Sequence, residues 1–187
     1  MADLIGIIVD GEGDYAALRR RFAHGYKIVK TDGPRGHTAS ASEIANKSRK
    51  QILILAAFRC SQVVVVLDFE GRALAYQKFL AQLIEGFRSI QLPISISVAV
   101  PNRMIENWYL ADIEFLATKK AFLRPGIKQR PFEGRNGKAL LKRLMRKGIS
   151  YSETKHGPEL FEILRFDVAR RNSPSLADFL TKLQAKD

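Results

Sequence analysis

Residues 62–72 read Gln62-Val63-Val64-Val65-Val66-Leu67-Asp68-Phe69-Glu70-Gly71-Arg72. Four valines and a leucine in a row leave neither face of an extended segment polar. A strand of that kind is buried on both sides, which is the habit of a central strand in a parallel sheet covered by helices above and below. Its carboxyl end carries Asp68, Glu70 and Arg72 and runs into a helical pattern. In open α/β sheets that is the edge at which ligands bind. Two carboxylates one residue apart on an extended segment can turn toward one hard cation.

Working outward, Leu4–Val9 reads as another buried strand, with Asp10 at its end as Asp68 is at the end of its own. Gly11-Glu12-Gly13-Asp14 turns the chain into a helix over Tyr15–Phe22, with Asp14 as its N-cap. Neither GxGxxG nor GxxxxGK[ST] is present, so the glycines alone are weak evidence for a phosphate-cradling loop. Tyr26–Val29 is a short strand, and Thr31 to Gly36 a loop rich in turn residues. Ser40 or Ser42 caps a helix reaching Phe58. Leu74–Phe87 is an amphipathic helix closed by Gly86, Ile94–Val100 a strand, and Met104–Ala117 a helix in which Trp108 packs in the core. Glu106 falls in the first turn of that helix. Its position suits either the helix dipole or a shared edge with Asp10 and Asp68. Asp112 reads as an outward or structural acid.

Beyond Phe122 the text changes. Pro125, Gly126, Pro131, Gly134 and Gly137 interrupt a loop studded with Arg124, Lys128, Arg130 and Arg135, and a helix over Lys138–Lys147 carries Lys142, Arg143, Arg146 and Lys147. Further helices start at Gly157-Pro158 and at Ser173-Pro174, the serine capping and the proline in the first turn. His156 is expected to be exposed or against a phosphate; His24 and His37 have no catalytic or metal spacing. The expected organisation is an α/β core over 1–118 and a basic helical extension over 119–187, packed together as one unit.

Net charge is +12 over 187 residues, and residues 119–187 hold +10 of it, with 17 Lys or Arg against 7 Asp or Glu. A basic lobe on a nearly neutral core suits a polyanion such as nucleic acid, through phosphate neutralisation and counterion release; a ribosome or an acidic partner would suit it too. Cys60 stands alone, which excludes an internal disulfide and a cysteine-rich zinc site, and its neighbours make it a buried small hydrophobe. No stretch reads as a secretory signal or a membrane span, so a cytoplasmic location without membrane contact is expected.

Carboxylates gathered without lysine partners either protonate or collect a divalent cation. All-oxygen ligands favour Mg²⁺ or Mn²⁺. The same acids read equally well as caps of the helices that follow them.

The run Ile7-Ile8-Val9-Asp10-Gly11-Glu12-Gly13-Asp14-Tyr15-Ala16-Ala17-Leu18, followed by Leu67-Asp68-Phe69-Glu70, resembles the Toprim domain of topoisomerases, bacterial primases and OLD-type nucleases. The likeness extends to an uncharacterised Toprim-like family of small bacterial proteins through Glu106-Asn107-Trp108-Tyr109-Leu110-Ala111-Asp112 and Ala169-Arg170-Arg171-Asn172-Ser173-Pro174-Ser175-Leu176. Asp10 stands where a Toprim enzyme has glutamate, and Glu70 where the second aspartate belongs.

The resemblance implies an α/β, Rossmann-like, mostly parallel sheet flanked by helices, acting as a Mg²⁺- or Mn²⁺-dependent nuclease or related phosphoryl-transfer protein. It implies metal ligation by Asp10, Asp68 and Glu70, with Glu12 as a substitute ligand and Glu106 beside them. Arg72, Arg124, Lys128, Arg130, Arg135, Lys138, Lys142 and Arg143 would meet the nucleic acid. The rival expectations are a catalytically weak module gripping nucleic acid or a partner protein encoded nearby, in a bacterial defence or mobile-element system, and a small-molecule phosphatase.

Overall fold

The computed structural model describes residues 4–22, 24–31 and 38–184; the turn-rich stretch 32–36 and His37 lie outside them. Four strands, β1 (Leu4–Val9), β2 (Tyr26–Lys30), β3 (Cys60–Val66) and β4 (Ser95–Ala99), form one sheet in the order β2-β1-β3-β4, every neighbouring pair parallel. The valine run in β3 serves both faces by simple alternation. Val63 and Val65 join Ile8 and Val98 in one apolar layer, while Val64 and Val66 join Ile7, Val9 and Ala99 in the other.

On the second of these faces lies α1 (Glu12–Arg21), and on the first lie α2 (Ala41–Ala57) and α3 (Tyr76–Ser89). Ser40 caps α2 in a reciprocal capping box with Glu43. Six short helices follow: α4 (Glu106–Leu110), α5 (Ile113–Lys119), α6 (Gly137–Leu144), α7 (His156–Ile163), α8 (Phe166–Asn172) and α9 (Pro174–Gln184). They contribute Leu116, Leu141, Phe161, Ala169 and Phe179 to the same apolar layer as β1 and α1. Trp108 is fully buried there, its ring stacked on Phe179 at 4.8 Å and its Nε1 donating to Ser175 Oγ at 2.9 Å.

The chain leaves β1 for β2 on one side and, through α2, returns to β3 on the other. That reversal opens a crevice outside the carboxyl ends of β1 and β3. Asp10 and Asp68 stand at those two ends.

Several elements differ from the sequence reading, each for a local reason. Gly86 does not end α3, which continues to Ser89; an added Cβ at Gly86 would lie 3.1 Å from the Ala41 carbonyl oxygen, so the glycine admits the start of α2. The helix expected over Met104–Ala117 is two helices. Gln129 sits in the break, its Nε2 donating to the Leu110 carbonyl and its Oε1 accepting from the Ile113 N–H, so one side-chain amide replaces lost helical partners. The helix from Lys138 stops at Leu144, where Met145 bridges back to Leu123. His156 is buried rather than exposed, and its Nδ1 accepts from the Ser152 N–H. Ser173 does cap α9, accepting from the Leu176 N–H, and Cys60 is buried.

Candidate functional site

Asp10, Gly11, Asp14, Asp68, Glu70, Lys138 and Glu153 line a cavity of about 120 Å³ at the switch point. Four separate stretches of chain supply them, 10–14, 68–70, 138 and 153. Asp10 and Asp68 arrive as expected, because each ends a buried strand whose direction fixes where its next residue falls. Glu70 follows on a loop held by an N–H donated to the Arg103 carbonyl at 2.6 Å, with both Glu70 (φ 55°) and Arg103 (φ 96°) in the left-handed region that non-glycine residues seldom occupy. The turns after β3 and β4 are thus latched together.

Asp14 is a correction to the sequence reading. The N-cap of α1 is Gly11, so Asp14 lies inside the first turn and folds back over Gly11; an added Cβ there would stand 2.9 Å from Asp14 Oδ2. Two more glycines set how closely the walls approach. A Cβ at Gly13 would meet Glu153 Cβ at 2.8 Å, and a Cβ at Gly137 would meet Glu106 Cβ at 2.8 Å and the Asn107 N at 3.1 Å. The first pins α1 to the segment before α7, and the second pins α6 to α4.

Glu106 is 1 % exposed, and only one of its oxygens is satisfied: Oε1 accepts from the Tyr151 hydroxyl at 3.2 Å, while Oε2 is buried with no hydrogen-bond partner among the described residues. Asp68, 8 % exposed, accepts the Ile105 N–H on Oδ1 at 2.9 Å. These acids are crowded and buried. Burial, reinforced by Glu70, raises Asp10 to about 6. Burial with Asp10 and Glu106 nearby holds Asp14 well above the usual carboxylate range, and burial with Asp14 and Asp10 does the same to Asp68. Burial lifts Glu106 to about 7.

A lysine does stand among them, contrary to the expectation of an unpartnered acid cluster. Lys138, assigned from sequence to the nucleic-acid face, enters the crevice from the first turn of α6 and meets Glu153 Oε2 at 3.0 Å. Burial opposes its charge, but Glu106 and Glu153 raise its pKa above the ordinary lysine value. Glu12 points elsewhere and pairs with Lys30 on the exposed rim.

The other predicted cations divide. Arg72 donates to the Ala39 carbonyl at 2.7 Å and lies over the Phe79 ring at 4.1 Å. Arg124 is spent on the carbonyls of Met145 and Arg143, and Lys128 on Glu114. Arg130, Arg135, Lys142 and Arg143 have exposed side chains. Asp112 is structural but not outward: it is 3 % exposed and takes the Arg165 guanidinium on both oxygens, at 2.7 and 2.9 Å.

The crevice acids offer oxygen donors, the donor chemistry a hard divalent cation takes. Among the described residues, however, no group of three or more His, Cys, Asp or Glu side chains is placed so that it could hold a metal ion, and a lysine stands among the acids.

The fold and this crevice define a doubly wound, all-parallel α/β protein with an acidic switch-point site. Within that class, residues 9–184 match the family model described as Domain of unknown function (DUF4276), and the chain belongs to that family. The match makes no link to Toprim proteins or OLD-type nucleases. No curated protein and no solved structure matches the chain. No helix among the described residues is long and apolar enough to cross a membrane.

Proposed function

We propose that the protein is a Mg²⁺- or Mn²⁺-dependent phosphoryl-transfer protein, of which a nuclease is the most specific form. The observation that carries this reading is the crevice itself: four acids from β1, α1 and the loop after β3 line one small cavity, and three of them are held above their ordinary pKa by burial and by one another. Such a site gains free energy by taking up positive charge. The resemblance of the Asp10 and Asp68 loops to Toprim motifs supports the same reading.

Asp10, Asp14, Asp68 and Glu70 would have to close together to hold the cation. When bound, it would supply charge stabilisation at a phosphodiester and acidify a water. The chain's own groups do the rest. Glu106, with its pKa near 7 and its unpaired Oε2, can take or hold a proton at neutral pH. Tyr151 orients it from Oε1. The exposed Arg135, Lys142 and Arg143 offer phosphate contacts on and just before α6, whose first turn enters the crevice.

One observation favours a second reading. Lys138 supplies positive charge inside the cavity without any metal, as a binding module that grips nucleic acid or a partner protein would permit. The test is cleavage of labelled single- and double-stranded DNA and RNA with Mn²⁺ or Mg²⁺, comparing wild type with an Asp68→Ala, Glu70→Ala double variant. Cutting by wild type alone is the expected result. Salt-sensitive binding without cutting by either protein points to the module.

A further inference from the structure

A second concavity lies at the free edge of β4 and shares no lining residue with the crevice: a cleft of about 360 Å³ between α3, the turn after it and the end of α9. Its two sides differ in chemistry. Toward α3 the lining is apolar, from Ile84, Phe87, Leu92, Ile94 and Ile96, and of these only Phe87 is buried, the others being half-exposed. Toward α9 stand Lys182 and Ser97, because Ser97 shares with Ala99 the face that α9 covers. Arg88 hangs at the rim, its side chain 75 % exposed, and no carboxylate is among the described residues that line the cleft.

The polar end is held in place. The Leu67 N–H donates to the Ala99 carbonyl, so Ala99 faces β3 and its neighbour Val98 turns its backbone groups to the open edge. Lys182 Nζ donates to that Val98 carbonyl at 2.6 Å and to Asp178, while Gln62 Nε2 donates to the Lys182 carbonyl at 3.1 Å. Two of the three ammonium hydrogens are thus engaged. Ser97 Oγ is buried and has no hydrogen-bond partner among the described residues.

We propose that this cleft binds a small amphipathic carboxylate, of the medium-chain carboxylic acid class. Its hydrocarbon body lies on Ile84, Leu92, Ile94 and Ile96, and its carboxylate accepts from Lys182 and from the Ser97 hydroxyl. The size is that of a small-molecule site, with apolar walls and a few convergent polar groups. A phosphate-rich ligand would leave the apolar wall wet, and a plain hydrocarbon would leave the serine hydroxyl and the third ammonium hydrogen unmet. A carboxylate meets both with charge-assisted bonds, and Arg88 adds a second positive charge at the rim. The assignment does not depend on the chemistry of the crevice.

The test titrates octanoate, decanoate and 1-octanol into the full chain by calorimetry, and repeats the octanoate titration with Ile96→Trp, which fills the cleft, and with Lys182→Met. Saturable binding of octanoate or decanoate is expected, with a Kd of about 0.1 mM or tighter. 1-Octanol and the Lys182→Met variant should each show binding weaker by about tenfold or more, and Ile96→Trp should abolish it. Absence of saturable binding by wild type overturns the proposal, as does octanoate binding unchanged by Ile96→Trp. Equal affinity for octanoate and 1-octanol overturns the carboxylate assignment. If either variant fails to fold, the amide shifts of wild type decide: movement on adding octanoate centred on residues 94–98 upholds the cleft, and movement elsewhere overturns it.

Discussion

Glu106 and Asp112 lie six residues apart on the segment that forms α4 and the start of α5, and both are almost fully buried. Their treatment is opposite. Asp112 receives a two-pronged guanidinium from Arg165, which itself lies over the Phe115 ring at 4.0 Å. Glu106 receives one tyrosine hydroxyl and keeps a bare oxygen. A buried acid that serves the fold is satisfied by a dedicated partner. One left half-satisfied among other acids imposes a cost that the fold does not explain, and such sites are where function is sought.

The contrast breaks hardest at Asp112. Asp112→Ala is expected to lose about 2–3 kcal/mol in urea unfolding, since charge-assisted hydrogen bonds are lost while the half-exposed Arg165 can still be hydrated. A wild-type unfolding midpoint would show that the pair is not structural. Next comes Gly137→Ala, expected to cost about 1–3 kcal/mol by overpacking α6 against Glu106 and Asn107. Any Mn²⁺ affinity should fall with it, as the crevice walls part.

Glu106→Gln goes the other way. Removing a carboxylate that must be desolvated should stabilise the metal-free protein by about 1 kcal/mol at about pH 8, with little effect at about pH 4, where wild type is protonated as well. The pH profile of the wild type follows from the same acids. Asp10 moves from 3.8 to about 6 and Glu106 from 4.5 to about 7 on folding, so the folded chain binds more protons than the unfolded one between those values. Stability of the metal-free protein should therefore fall as pH rises through that window, the reverse of an ordinary ion-paired carboxylate. A thermal melt series in EDTA reads this directly, and Glu106→Gln should flatten its upper part. The smallest effect is expected at Lys128→Ala, whose solvent-screened pair with Glu114 should leave the urea unfolding midpoint unchanged.

The sheet was legible because unbroken valine and isoleucine runs admit few other readings. Leu4–Val9 was placed to the residue, and the other strands to within two. The acids that end strands were legible with them. What failed were features decided by distant partners. Nothing local to Met104–Ala117 announces that Gln129 will replace two backbone partners in its middle. The helix α8 went unread because its seven residues carry too short an apolar pattern. Asp14 had a signal that was missed: four residues past Asp10, across a strand-to-helix turn, it belongs to the same edge. Lys138 and Glu153 had none, since their place depends on how residues 119–184 fold back over the sheet.

That fold-back bears on kinetics. The crevice draws its charged groups from residues 10, 14, 68, 70, 138 and 153, and every pairing in the sheet is parallel and non-local. The pairing of β1 with β3 alone brings Asp10 and Asp14 beside Asp68 and Glu70, whereas Lys138 and Glu153 reach them only when the chain beyond β4 folds back over the sheet. Repulsion among the first four acids therefore belongs to forming the sheet, and neutralising one of them should speed folding to the extent that β1 and β3 are paired in the transition state.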